Sequence, residues 1–274
     1  MFEGSVTPLP IKGMAAPLLR PLPAIITYAT FEIKAGYGGS PAARSIFTSH
    51  LRAFRAMLIA LARSAGLPDT AIRRLISRCE DLKGAGFWDL PGILAGFKAD
   101  LQLLHEDHGK SLKEAAREQS GRLRDLFRVE TGPCRIVTIH NDETEQLAAA
   151  LCAKLVDGCW YDCETSHENE GSGRLQDADL VLLVAGESPI RPDFEAAVDQ
   201  AGLPHLVLFG GGRGGDRENM AALRTEHHYR DRGYVVLRGP LAPLRLYQAI
   251  DGCRIRRLLK QETFSPEPTE IVTA

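Results

Sequence analysis

Gly210, Gly212 and Gly215 fall at G-x-G-x-x-G spacing in the stretch "HLVLFGGGRGGDREN", between an apolar run and a helix start. Glycines at such a junction expose backbone N–H groups to an anion, and Arg213 would add a cation. Two features oppose a dinucleotide site. The fingerprint belongs in the first strand-to-helix turn of its unit, and no acidic residue ends the next apolar run, "GYVVLR", where ribose hydroxyls would be held. Asp216 already supplies negative charge to the helix start. No Lys-Ser or Lys-Thr follows the glycines, so the Walker pattern is absent as well. A surface loop is the simpler reading.

The thiols and imidazoles offer metal chemistry. Cys159, Cys163 and His167 recur every four residues, with Cys134, Cys152 or His140 as a candidate fourth zinc ligand. If "CWYDC" is one strand, Cys159 and Cys163 stand about 13 Å apart at roughly 3.3 Å per residue and cannot share a metal. Buried or half-buried thiols are expected instead, and no metal. His105 and His108 in "HEDH" share one side of a helix, read here as a solvated helix end before Gly109. His50 is expected to be exposed, and the adjacent His227 and His228 to diverge. No G-x-S-x-G, zincin or CxxC pattern is present.

Charge narrows the partners. The chain of 274 residues carries 33 basic and 35 acidic side chains, so no overall field points to nucleic acid or a membrane surface. Prolines at positions 8, 10, 17, 21 and 23 interrupt any signal-peptide core, and no apolar stretch reaches the roughly 20 residues of a membrane helix. A cytoplasmic protein with reduced cysteines is expected.

The elements that would position these residues divide the chain. Residues 1–39 read as a Pro-rich arm in which "AIITYATFEI" forms a strand. Residues 40–130 read as a helical domain. Ser40 caps a first helix with Pro41 at its start and Gly66 at its end; others follow from about Asp69, from Asp89, and across the charged segment after Gly109. From 134 to 260, apolar runs of four to six residues alternate with helical segments, and such runs build a parallel sheet buried on both faces. The expected fold is thus α/β: a helical N-terminal module, then a flavodoxin-like, doubly wound, five-stranded parallel sheet. Residues 261–274 read as a loose tail.

The order of the five strands resembles the receiver domain of bacterial response regulators, over roughly 125 residues. In that family the first strand ends in an acidic pair that holds magnesium; "RIVTIHND" places His140 and Asn141 there, with Asp142 one position beyond. The third strand ends in the phospho-accepting aspartate, where "DLVLLV" has Val184. The fourth ends in Thr or Ser, where this chain has Phe209 and Gly210; the fifth carries Lys-Pro, where Gly239 precedes Pro240 and the nearest cation is Arg238. The resemblance implies a pseudo-receiver that aspartyl phosphorylation does not switch. The middle runs also share the cadence of GTPase strands, without that family's Asn-Lys-x-Asp.

Two functions follow as expectations. One is a non-enzymatic regulatory or adaptor protein, without cofactor, that contacts a protein partner or a second copy of itself through its last helix. In receivers the fourth helix, fifth strand and fifth helix form that face, here 219–229 and 244–260. Arg245 and an exposed Tyr247 are expected anchors, with Arg254 and Arg257 in a basic helix end that also includes Arg256 and Lys260. The other is a nucleotide- or anion-binding enzyme with its ligand at the carboxyl ends of the strands, lined by His140, Asn141, Asp142, Glu187, Ser188 and the Gly210 to Gly215 loop. Asp142 and Glu145 also read as an ordinary helix-capping pair.

Overall fold

The computed structural model describes residues 14–35, 40–170, 172–209, 216–238 and 242–263. Its contacts divide the chain into two compact units. One contains Gly132–Arg254; the other holds the helices up to Thr131, and the division in the last helix falls between Arg254 and Ile255.

The helical unit contains α1 (Ala16–Leu19), α2 (Leu22–Ala35), α3 (Pro41–Ala65), α4 (Asp69–Gly84), α5 (Leu90–Glu118) and α6 (Ser120–Thr131). The Ser40 hydroxyl accepts the Ala43 N–H at 3.1 Å and Pro41 occupies the first turn of α3, as its sequence signature requires. The helix stops where Gly66 takes φ 63°, in the left-handed region that favours glycine. Phe47, Leu51, Phe54, Leu58 and Leu61 bury one side of α3.

Two expectations in this unit are corrected. The "AIITYATFEI" stretch is helix α2 and not a strand. Its β-branched residues favour strand locally, but the helix buries Leu22, Ile25, Ile26 and Ala29 and brings Tyr28 and Glu32, four apart, into a hydrogen bond. Tyr28 also stacks on Phe47 at 4.5 Å. The second correction concerns Gly109, which does not end a helix: α5 runs through it to Glu118, and the break lies at Gln119. A Cβ at Gly109 would stand 2.6 Å from His105 Nδ1, so the glycine makes room for an imidazole laid along the helix. His105 and His108 are therefore mid-helix residues.

The α/β unit runs β1 (Arg135–His140), α7 (Glu145–Cys159), β2 (Asp162–His167), a 3₁₀ turn (Ser172–Asp177), β3 (Leu180–Ala185), α8 (Pro192–Gln200), β4 (His205–Phe209), α9 (Asp216–Asp231), β5 (Val236–Arg238) and α10 (Pro243–Thr263). All five strands are parallel, in the order β2-β1-β3-β4-β5, which is a flavodoxin-like arrangement. Alternate residues of the central strands face opposite ways. Ile136, Leu182, Val184 and Leu208 share a layer with Leu151 and Leu155 of α7 and Leu246 and Ile250 of α10. Val137, Val181, Leu183 and Val207 pack on Phe194 and Val198 of α8 and Tyr229 of α9. Coverage of both faces explains why these strands read as unbroken apolar runs.

The outer strand β2 begins two residues later than "WYDC" suggests. Trp160 takes φ 63° at the end of α7, and the Tyr161 N–H donates to the Leu155 carbonyl at 3.0 Å. Cys159 thus ends a helix while Cys163 is the second residue of a strand, so the two never share one strand. Among the described residues, a short 3₁₀ turn stands between β2 and β3 where a doubly wound fold places a helix. No helix among the described residues is long and apolar enough to cross a membrane.

Candidate functional site at the carboxyl edge of the sheet

Parallel pairing sets Ile139 of β1 beside Leu183 of β3, so the two strands end next to each other. Thr144, at the entry to α7, joins them. Its hydroxyl lies 2.9 Å from the Val184 carbonyl and 3.0 Å from Asn141 Oδ1, and accepts the Asn141 N–H at 3.3 Å. The single hydroxyl proton is shared between two acceptors. Asn141, Thr144 and Val184 are all buried, so these groups have each other in place of water.

A second ring of contacts closes over this one. The Glu143 carboxylate accepts the Ser188 N–H at 3.2 Å and the Ser188 hydroxyl at 2.7 Å. Gly186 permits that approach, because a Cβ there would stand 3.0 Å from Glu143 Oε2 and 3.2 Å from Thr144 Cγ2. The Thr225 hydroxyl of α9 donates to the Glu187 carbonyl at 2.6 Å. After β2, Glu168 accepts the Arg191 N–H and Asn169 Oδ1 accepts Arg191 Nη1, both at 2.8 Å. The Arg191 guanidinium also forks onto Asp193 and holds that carboxyl below the usual carboxylate range.

The histidine tautomers follow from their partners. The Asn169 N–H donates to His167 Nδ1 at 3.2 Å, so that nitrogen is unprotonated and Nε2 donates to Asp142 Oδ1 at 3.0 Å. His140 Nδ1 faces the Asn141 carbonyl at 3.2 Å, and since a carbonyl only accepts, Nδ1 carries the proton. The two rings pack edge to face at 5.4 Å.

The acidic groups at this edge therefore diverge. Asp142 is bound to His167 with its side chain 99% exposed, Glu143 is turned to Ser188, and Glu168 and Asp193 are turned to Arg191. Among the described residues no three His, Cys, Asp or Glu side chains are grouped to hold a metal ion. Arg238, the last residue of β5, pairs with Glu226 of α9, which also binds Arg230 at 2.8 Å. Burial alone would raise the Glu226 pKa, but the two guanidinium partners outweigh it and hold the carboxyl low.

The structure thus brings His140, Asn141, Asp142, Glu187 and Ser188 to one edge. Gly210, Gly212, Arg213 and Gly215 lie outside the described residues. Sequence reasoning missed Glu143, Thr144, Glu168, Asn169 and Arg191, which knit that edge together. Their one sequence signal was position, in the turns that follow β1, β2 and β3.

The expected exposure of Tyr247 is corrected. Tyr247 is 2% exposed, sits in the α7–α10 layer and donates its hydroxyl to the Gly158 carbonyl at 3.0 Å. Arg254 is 13% exposed and lies 3.8 Å from both Asp179 and Asp251. Arg257 is half-buried, and Arg245 remains exposed. His50, expected at the surface, is buried, with Nδ1 2.8 Å from the Ile46 carbonyl and its ring edge-on to Phe127 at 5.5 Å. His228 approaches Glu195 at 3.5 Å while His227 points to solvent, as adjacent helix positions require.

In comparison with known proteins, no family model matches this chain and no curated protein is similar to it in sequence.

Proposed function

We propose that this chain is a non-enzymatic regulatory or adaptor protein whose receiver-like α/β unit acts through protein contacts and is not switched by aspartyl phosphorylation. The observation that carries this reading is the end of β3. Val184 is fully buried there, and its carbonyl is taken by the Thr144 hydroxyl. Phosphoryl transfer to a carboxylate needs the carboxylate, and acidic groups to hold the metal that neutralises the phosphate. Asp142 and Glu143 are committed elsewhere.

The contact surface in this reading is the outer side of α9, where Met220, Leu223 and His227 repeat at helical spacing and are exposed, together with Arg245. Tyr247 and Arg254 support α10 from within. The reading is tested by incubating the full chain with acetyl phosphate and Mg²⁺, and separately with a nucleotide panel. The expected result is an unchanged intact mass and no shift of the melting temperature. A stable phosphoryl adduct, or a nucleotide that raises the melting temperature in wild type but not in Gly212→Val, overturns it in favour of a ligand-binding enzyme. Sedimentation of wild type and Leu223→Asp reports whether the partner is a second copy of the chain.

A further inference from the structure

The cysteines do not behave alike. Cys159 is fully buried and Cys134 nearly so, whereas Cys152 and Cys163 are half-buried at the rim of the α/β unit, on α7 and on the outer strand β2. The Cys152 thiol lies 3.0 Å from the Cys163 carbonyl, which sets the two residues side by side across α7 and β2. Cys163 Sγ in turn lies 3.2 Å from the Thr138 hydroxyl of β1, which fixes its side chain on the face that α7 covers. The two residues are eleven positions apart, on either side of the turn at Trp160.

We propose that Cys152 and Cys163 form a redox pair that closes to an intramolecular disulfide when the protein meets a peroxide. The chemistry needs no group beyond the two thiols and the oxidant. Cys152 sulfur attacks hydrogen peroxide, an S–O bond forms as the O–O bond breaks, and one water leaves. Cys163 sulfur then attacks Cys152 sulfur; the S–S bond forms as the S–O bond breaks, and the hydroxyl departs with the remaining thiol proton as a second water. The thiols supply two electrons, and the peroxide becomes two waters.

The order of the steps follows from the surroundings. Burial is the largest influence on Cys163 and raises its thiol well above the ordinary range; the Thr138 hydroxyl opposes this, and the adjacent Cys152 thiol adds to it. Cys163 stays protonated at neutral pH and acts second, while Cys152 meets the oxidant. Closure is therefore slow at neutral pH and accelerates as pH rises. Once formed, the bond staples α7 to the outer edge of the sheet.

Peptide mapping of the reduced full chain after hydrogen peroxide treatment and alkylation tests this. The expected result is a Cys152–Cys163 cross-linked peptide, lighter by two hydrogen atoms and reversed by dithiothreitol. It forms faster at higher pH, with a melting temperature a few degrees above that of the reduced protein. Cys152→Ser and Cys163→Ser each lose the cross-link, and Cys159→Ser keeps it. Oxidation of Cys152 to a sulfinic acid while Cys163 remains alkylatable overturns the proposal, as does a cross-link through Cys134 or Cys159. So does wild-type protein that keeps both thiols under conditions that oxidise the urea-unfolded chain. The mapping of wild type stands whether or not a variant folds.

Discussion

Replacing Val184 by aspartate puts a carboxyl group at the end of β3 and asks whether the surroundings tolerate it. Val184 has no solvent exposure and belongs to the apolar layer that includes Leu151 and Leu208. The neutral acid already forfeits the burial of the valine methyls, about 1–2 kcal/mol. The ionised form costs more, because the layer around this side chain is apolar. Burial of that kind raises a carboxyl pKa by about 3 units, and at 1.36 kcal/mol per unit this adds about 4 kcal/mol. The sign fixes the pH window. A folded-state pKa above the unfolded value near 4 leaves stability unaffected below that value. The penalty then grows as pH rises and levels off above the folded pKa, near 7. Urea unfolding at about pH 4.5 and about pH 8 should therefore give a Val184→Asp deficit of about 2–3 and about 5–6 kcal/mol respectively. Val184→Thr, of similar size and uncharged, should show no such dependence. A deficit no larger at pH 8 than at pH 4.5, or a Val184→Asp protein stabilised by millimolar Mg²⁺, would instead reveal an acid-ready cleft.

Three further perturbations test the contacts around it. Thr144→Val keeps the shape but strips the buried Asn141 N–H and Val184 carbonyl of their shared partner, and should cost about 2–3 kcal/mol in denaturant unfolding, while Thr144→Ser loses about 1. Tyr247→Phe should cost about 1 kcal/mol through the lost bond to Gly158, and Tyr247→Ala about 3–5, whereas Arg245→Ala leaves the unfolding midpoint unchanged. Glu226 has a depressed folded pKa, so its contribution is present above the unfolded value near 4.5 and is lost as pH falls through the folded value. Glu226→Gln should therefore be less stable than wild type by about 1–2 kcal/mol at neutral pH, and the two should converge in acid.

The sheet was legible because burial on both faces leaves its mark in the chain itself: "RIVTI", "LVLLVA" and "HLVLF" are apolar apart from Arg135, Thr138 and His205, and helical segments recur between them. Helix α3 was legible for a local reason, its Ser40-Pro41 start and Gly66 stop. Where local and tertiary preferences conflict, the reading failed. Ile25, Ile26, Thr27 and Thr30 favour a strand, and packing against neighbouring helices, α3 and α5 among them, makes α2 a helix. Gly109 looks like a stop until the His105 ring beside it is seen. The edge strand β2 buries too little to print a pattern, since Ser166 is its one buried side chain. Tyr247 is an aromatic in a charged helix, and its depth depends on α7, which no reading of α10 alone contains. The candidate site failed for a related reason. His140, Asn141 and Ser188 were found by the topology rule for parallel sheets, but Thr144 matters only because β3 ends beside it, a contact forty residues away.

Closure of the carboxyl ends of β1 and β3 by their own side chains underlies the proposed function. Its most direct test is an amide NMR titration of the isotope-labelled chain with Mg²⁺ and then beryllofluoride, an analogue of the aspartyl phosphate. The resonances of His140 to Thr144 and Val184 to Ser188 should stay in place. Saturable shifts of those amides, centred on Asp142, Glu143 or Val184, would contradict that closure.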